Sequence, residues 1–170
     1  DFRASGYTIR HEEVGMIARV ARNAAGGDYA DALTRTDYLS FNHFVDLSEA
    51  AFGVTLSNAD SSFMRVANSR PSTLDTSLPS VFAVAGMQVD GRDLGFANQG
   101  GDASFLNRYA LVAHGAYDQP AAMRAALEHQ NPLVAQALAP AATAALPTRL
   151  GLLAVSSPDV LLWAVKPAEE

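Results

Sequence analysis

The sequence contains no cysteine and a single lysine, Lys166. The absence of cysteine excludes disulfide bonds, thiolate metal sites and a cysteine nucleophile. The 18 acidic residues outnumber the 12 basic ones, and the net charge of −6 argues against nucleic acid or an anionic membrane as the main partner, because both attract basic surfaces. No apolar run reaches the roughly 20 residues of a membrane-spanning helix.

What is present is enough for one folded domain. The chain has 170 residues, of which 49% are hydrophobic, so it can bury a core of its own. No linker or fixed repeat divides it, and we interpret residues 1–170 as one β-sandwich domain. No signal peptide is visible at the start. The Ala- and Arg-rich, Lys-poor composition is typical of a GC-rich bacterium, and we expect a cytoplasmic location.

Short segments with alternating or β-branched apolar residues follow one another along the chain. They cover residues 7–22, 38–47, 53–58, 62–67, 80–87, 104–114, 150–156 and 160–165. Asp90-Gly91 is a hairpin-type turn signal. Short strands separated by turn residues are typical of an antiparallel sandwich. The predicted core includes Phe44, Val45, Phe82, Leu111 and Trp163.

One segment near residues 120–131 favours a short helix. Pro120 stands where a first-turn proline is preferred, Met123 and Leu127 fall at i and i+4, and Pro132 ends the pattern. A helix also stays open as an alternative for residues 7–22, whose apolar residues fit both periods. The sequence therefore predicts a mainly β protein with one short helix.

The residue types that carry catalysis or bind metals form no recognisable motif. His11-Glu12-Glu13 lacks a second histidine at helical spacing, so we interpret it as a solvated strand end rather than a zinc site. No Gly-x-Ser-x-Gly motif marks a serine nucleophile. Carboxylates such as Asp46 and Glu49 could serve glycoside hydrolysis, but no spacing selects a pair.

Two polar segments could hydrogen-bond sugar hydroxyl groups. The run from Asn98 to Asp102 contains Gly100-Gly101, and it is either a tight loop that needs positive φ or a polar loop at a sheet end. The cluster from Glu128 to Asn131 could instead satisfy buried backbone groups. Both interpretations stay open for each segment.

Several segments, taken in order, resemble the C-terminal half of family 38 α-mannosidases. The run from His43 to Asn58 resembles the family's VDLS and yGV-L-N motifs, and residues 105–114, ending at His114, resemble its F-Y-L-PH strand. Residues 122–133 are similar to the following A…lN-Pl stretch, and residues 160–167 to the late V-l-s-a-lK strand. The resemblance covers residues 35–167, with departures around 64–71.

The resemblance implies a large antiparallel supersandwich, similar to galactose mutarotase-like domains, in a retaining α-mannosidase. The family's carboxylate nucleophile and its Zn²⁺, held by Asp and His, lie in N-terminal domains that no segment here matches. It therefore implies no catalytic residue, metal ligand or cofactor in this chain, but a non-catalytic domain that supports the active-site cleft and binds mannosides. We expect these residues to face the carbohydrate: Asn98, Gln99, Asp102, His114, Glu128, His129, Gln130 and Asn131.

The expected partners follow from the same resemblance. The sequence begins with Asp1 rather than Met, and we expect a fragment or separate subunit of a larger glycoside hydrolase. Because a truncated sandwich exposes strand edges, its partner should be the N-terminal catalytic domains or another copy of itself.

Two other functions stay open. One is a stand-alone carbohydrate-binding or assembly module, with Tyr38, Tyr117 and Trp163 as candidate aromatic platforms for sugar rings. The lesser one is a sugar epimerase of the mutarotase-like fold, for which His114 and Glu128 would be the acid–base pair.

Overall fold

The computed structural model describes residues 6–83, 88–89, 92–93, 106–137, 147, 149–151, 153–162 and 165–166. These residues form ten strands and one α-helix, with a 3₁₀ turn at Asn23–Ala25. In chain order they are β1 (Thr8–Glu13), β2 (Met16–Arg19), β3 (Leu39–Ser40), β4 (Phe44–Ser48), β5 (Gly53–Asn58), β6 (Phe63–Val66), β7 (Val81–Ala83), β8 (Gln88–Val89), β9 (Arg92–Asp93), β10 (Tyr109–His114) and α1 (Gln119–Gln130). The predicted mainly β class with one short helix is confirmed.

The strands pair in antiparallel fashion in three sheets. A five-stranded sheet has the order β10-β5-β4-β1-β2, a three-stranded sheet has the order β3-β6-β7, and β8 pairs with β9. Val89 pairs with Arg92, so two residues connect β8 and β9. This is the connection length of the hairpin predicted from Asp90-Gly91, two residues that themselves lie outside the described ranges.

The main core lies between the five-stranded and three-stranded sheets. Ile9 and Val45 from the larger sheet cluster with Leu39, Met64 and Val66 from the smaller one, and each is at most 3% exposed. Complete burial of an apolar side chain of this size contributes about 1.5–3 kcal/mol. This cluster therefore holds the two sheets together.

Helix α1 covers the opposite face of the five-stranded sheet. Phe44 of β4 packs there against Ala122, Met123 and Ala126. Its neighbour Val45 points to the other face and joins the core between the sheets, as the alternation of side chains along a strand requires. Strand β4 is thus covered on both faces.

The ends of α1 follow their local signals. Asp118 caps the start, because its Oδ1 accepts a hydrogen bond from the backbone N–H of Ala121 at 3.0 Å. Both the backbone N–H and the side-chain amide of Asn131 donate to the carbonyl of Leu127 at the other end. Within the described part of the chain, no helix is long and apolar enough to span a membrane.

The strands predicted within residues 7–22 are confirmed as the β1–β2 hairpin, with Gly15 in the turn at a φ of 80°, and the helical alternative is wrong. Two expectations differ from the structure. None of the described residues within 150–156 or 160–165 belongs to a strand, because an apolar run forms one only where a neighbour offers free backbone groups. Phe82 and Leu111 are 50% and 72% exposed, so their assignment to the core is wrong, whereas Trp163 lies outside the described residues.

Candidate functional site

A layer of buried polar side chains lies on the α1-facing side of the five-stranded sheet. Strands β4 and β5 contribute Asp46, Ser48, Thr55 and Ser57, each at most 2% exposed. Asp46 and Ser48 follow Phe44 at intervals of two along β4, so they lie on the same face as Phe44. Ser57 pairs with Phe44 and Thr55 pairs with Asp46, which places both on that face of β5. Buried polar groups are unfavourable unless they are hydrogen-bonded, so the contacts within this layer are the first place to look for function.

Asp46 is the centre of the layer. Its Oδ2 accepts a hydrogen bond of 2.8 Å from the hydroxyl of Thr55 and lies 2.7 Å from Nε2 of His114. Strand β5 lies between β4 and β10, because Thr55 pairs with Asp46 on one side and with Val112 on the other. The contact between Asp46 and His114 therefore joins β4 to β10 across β5. The other oxygen, Oδ1, is buried and has no partner among the described residues.

His114 is the member of this cluster nearest to solvent. Its side chain is 21% exposed, whereas that of Asp46 is fully buried. Nδ1 lies 3.0 Å from the carbonyl oxygen of Gly115, so both ring nitrogens are engaged by oxygen atoms. A ring held at both nitrogens has a defined orientation, and the cluster therefore fixes an imidazole at the end of β10.

Arg10 and Tyr117 extend the cluster. Nη1 of Arg10 donates to the hydroxyl of Ser48 at 3.1 Å, and the guanidinium lies 4.4 Å from the centre of the Tyr117 ring. The Tyr117 hydroxyl is buried without a partner in the described part of the chain. Burial, followed by the negative charge of Asp46, raises the pKa of Tyr117 to about 12, so this phenol is a neutral donor at physiological pH.

Of the predicted carbohydrate-facing residues, His114 and His129 lie near opposite ends of β5. His114 pairs with Gly53 at one end of β5. His129 Nδ1 lies 3.0 Å from the hydroxyl of Ser57 near the other end. Ser57 lies four residues along β5 from Gly53, a distance of about 13 Å.

Two residues of the segment 128–131 satisfy backbone groups. Nε2 of Gln130 donates to the carbonyls of Asn42 and Asn58, both at 2.7 Å, and Asn131 caps α1. The backbone interpretation is thus the correct one for these two side chains. Glu128 is exposed on α1.

Asn98, Gln99 and Asp102 lie outside the described residues. The ring nitrogens of His114 contact Asp46 and Gly115 rather than Glu128, and the epimerase pair stays a prediction.

Two features of the site were not recognised in the sequence. Asp46 appeared among several carboxylates without a partner, and Arg10 was not considered. A polar residue between Val45 and Leu47, inside an apolar strand, is the signal that could have identified Asp46, because a strand covered on both faces has few solvated positions. The interpretation of His11-Glu12-Glu13 as a solvated end was wrong, since His11 is completely buried and Glu12 is 2% exposed.

The resemblance implies a zinc ion for the parent enzyme, held by residues of its N-terminal domains. Among the described residues, no three His, Asp or Glu side chains come close enough together to hold a metal ion. A zinc site needs three or four such ligands. We therefore assign no step of any reaction to a metal in this part of the chain.

Comparison with known proteins adds no assignment. No family model matches the chain, and neither the curated proteins nor the solved structures compared with it contain a match. The family 38 resemblance stays a prediction that rests on the motifs and on where their residues meet.

Proposed function

We propose that this chain is the C-terminal, non-catalytic β-sandwich domain of an α-mannosidase-like glycoside hydrolase of family 38. In this function it supports the active-site cleft and contributes a carbohydrate-facing rim. The finer fold type that goes with this proposal is the supersandwich of galactose mutarotase-like domains. The nucleophile and the Zn²⁺ belong to other domains of the parent enzyme.

One observation carries the proposal. Three of the segments that resemble the family contribute one residue each to a single cluster: Asp46 from the VDLS motif, Gly53 from the yGV motif and His114 from the end of the PH strand. These residues are up to 68 positions apart in sequence. Asp46 and His114 are in hydrogen-bonding contact and Gly53 leaves room for the His114 ring, and this convergence of three motifs supports the resemblance.

The geometry supports a positioning function for this cluster. Asp46 and Thr55 are buried and hold the imidazole of His114, which is partly exposed at the sheet end. A side chain fixed at the rim of a cleft contacts a sugar ring at low entropic cost, because it is ordered before binding. We place the carbohydrate-facing rim at His114, Gly115 and Tyr117, between β10 and α1.

Activity measurements test the proposal. The longer gene product should hydrolyse 4-nitrophenyl α-D-mannoside, and the isolated 170-residue chain should not, with or without added zinc. In the longer protein, His114→Ala should raise KM by at least about threefold and change kcat less, since the residue binds rather than reacts. His129→Ala, near the far end of β5, is the matched comparison and should leave KM unchanged.

Two results would overturn this function. Mannosidase activity of the isolated chain would mean that the reacting groups lie within it. A longer gene product without α-mannosidase activity would mean that the parent protein is not an α-mannosidase. Calorimetric titration of the isolated chain with methyl α-D-mannoside tests the alternative function of a stand-alone carbohydrate-binding module. Binding by the isolated chain would favour that alternative, because such a module binds sugar without any partner domain. Thermal unfolding of both histidine variants verifies that they are folded.

A further inference from the structure

The loop of residues 23–33, between β2 and β3, is held down by one aromatic side chain. Within this β2–β3 loop only Gly27 and Tyr29 are not exposed, and Tyr29 packs against the core between the two sheets. The backbone carbonyl of Tyr29 accepts a hydrogen bond of 2.8 Å from the N–H of Asn23, and its own N–H donates to the carbonyl of Ala21 at 3.0 Å. The position of the loop therefore depends on what Tyr29 contacts in the core.

Tyr29 contacts His11, which lies in β1 and is completely buried. The Tyr29 hydroxyl is 2.6 Å from Nε2 of His11, and the two rings stack with their centres 6.0 Å apart. The other ring nitrogen, Nδ1, is also buried and forms no hydrogen bond in the described part of the chain. Strands β2 and β4 place the apolar Ala18 and Val45 opposite His11. The ring is therefore shielded from water while Tyr29 stays in place.

The charged groups around His11 do not compensate for this burial. The nearest is Glu13, whose Oε1 lies 3.9 Å from Nδ1, too far for a hydrogen bond, and accepts one from the hydroxyl of Ser40 at 3.1 Å. Burial lowers the pKa of His11 below its ordinary 6.5, against the opposing negative charges of Glu13, Glu12 and Asp28. The structure therefore holds a neutral imidazole at this position.

We propose that His11 and Tyr29 form an acid-sensitive latch, which releases the β2–β3 loop when His11 gains a proton. A neutral ring accepts the hydroxyl proton of Tyr29 at Nε2, whereas an imidazolium carries a proton on both nitrogens and can accept none. Protonation thus reverses the contact that fastens Tyr29, and it places a charge where no water can solvate it. Both are relieved when the loop lifts and the ring reaches solvent.

Acid should open this latch rather than close it. In the open form the ring meets water and its pKa returns toward 6.5, while burial keeps the pKa lower in the closed form. The closed form therefore binds fewer protons. Its advantage is fully present above about pH 6.5 and is lost as the pH falls through the pKa of the closed form. Burial raises the pKa of Tyr29, so the phenol stays neutral throughout this range.

Amide hydrogen exchange tests the latch. Protection factors of the Asn23 and Tyr29 amides, whose hydrogen bonds close the loop, are measured from pH 7.5 to pH 5 with the intrinsic exchange rate divided out. We expect protection to fall at least about threefold as the pH is lowered. His11→Phe keeps a ring in the core but cannot titrate, so its protection should not depend on pH. No fall in the unmodified protein, or an equal fall in both, would overturn the proposal.

The His11 ring gives a second measurement that needs no variant. Its Cε1 proton signal, assigned by NMR contacts to the Tyr29 ring, should titrate below pH 6.5, and titration at or above that value would contradict the latch. His43→Gln is the matched control, because His43 also contacts a buried carboxylate, that of Glu12, and it should keep the pH response of the unmodified protein. Loss of the response in His43→Gln would assign it to the other histidine and refute the latch.

Discussion

Gly53 of β5 lies directly beneath the imidazole ring of His114 on the neighbouring strand β10. A Cβ atom at position 53 would lie 2.2 Å from Cε1 and 2.8 Å from Nε2 of that ring. Contacts this short do not occur between real atoms of these types. The absence of a side chain at Gly53 is therefore what lets His114 cross β5 and reach Asp46.

Gly53→Ala should displace His114 from Asp46. We expect a loss of about 1–3 kcal/mol in the free energy of unfolding, the usual cost of overpacking, together with a change in the NMR signals of the His114 ring. Urea unfolding measures the first and two-dimensional NMR the second. Gly115→Ala is the matched control, since a Cβ there would meet only the Ala51 carbonyl at 3.9 Å. Equal effects of both substitutions would contradict the steric explanation.

The contact between Asp46 and His114 should appear as an energetic coupling. Asp46→Asn leaves the Thr55 hydroxyl and the His114 ring with a poorer acceptor, and we expect a loss of about 1–3 kcal/mol. In a double-mutant cycle with His114→Gln, the two losses should be non-additive by about 0.5–3 kcal/mol. Additive losses would mean that the 2.7 Å contact contributes nothing to stability.

Gln130 should matter for stability and Glu128 should not. Gln130→Ala removes two hydrogen bonds that join the end of α1 to Asn42 and Asn58, and leaving these carbonyls unpaired should cost about 1–2 kcal/mol. Glu128→Ala changes an exposed helix position and should stay within about 0.5 kcal/mol. Chemical unfolding of the two variants compares them directly. A stable Gln130→Ala variant with impaired mannoside binding would restore Gln130 as a sugar ligand.

Asp60 and Arg108 should make stability depend on acid pH. Hydrogen bonds from the side chain and backbone of Arg108 lower the pKa of Asp60 to about 2, below its ordinary 3.8. Between these values the unfolded chain binds more protons, so the stabilisation is present above about pH 4 and is lost as the pH falls through the folded pKa. The difference in Tm between the protein and Asp60→Asn should therefore shrink from pH 5 to pH 2. A constant difference over that range would contradict the pairing.

Local patterns predicted several elements well. The bounds of β5 coincide with the predicted segment 53–58, because a glycine begins it and apolar and polar residues alternate within it. Pro120, the Met123–Leu127 pair and Pro132 likewise placed α1 within a residue or two of its bounds. Such signals act within one or two turns of chain, where the residues in contact are also neighbours in sequence.

The incorrect predictions concern burial and pairing. Leu111 was assigned to the core because it is apolar and lies in a strand, yet β10 is the edge of its sheet and leaves this side chain exposed. Glu12 was expected in solvent, yet it lies in β1 between two paired strands and near α1. Burial depends on what covers a residue, and a covering element can come from anywhere in the chain.

The sequence by itself determined several of the strands and the one described helix, and which side chains alternate between the two faces of a strand. It could not decide that Asp46 meets His114 or that Gln130 binds the backbone carbonyls of Asn42 and Asn58. The physical reason is that a period of two assigns a face but not a neighbour. Only the order β10-β5-β4-β1-β2 and the packing of α1 on it bring those distant residues within hydrogen-bonding distance.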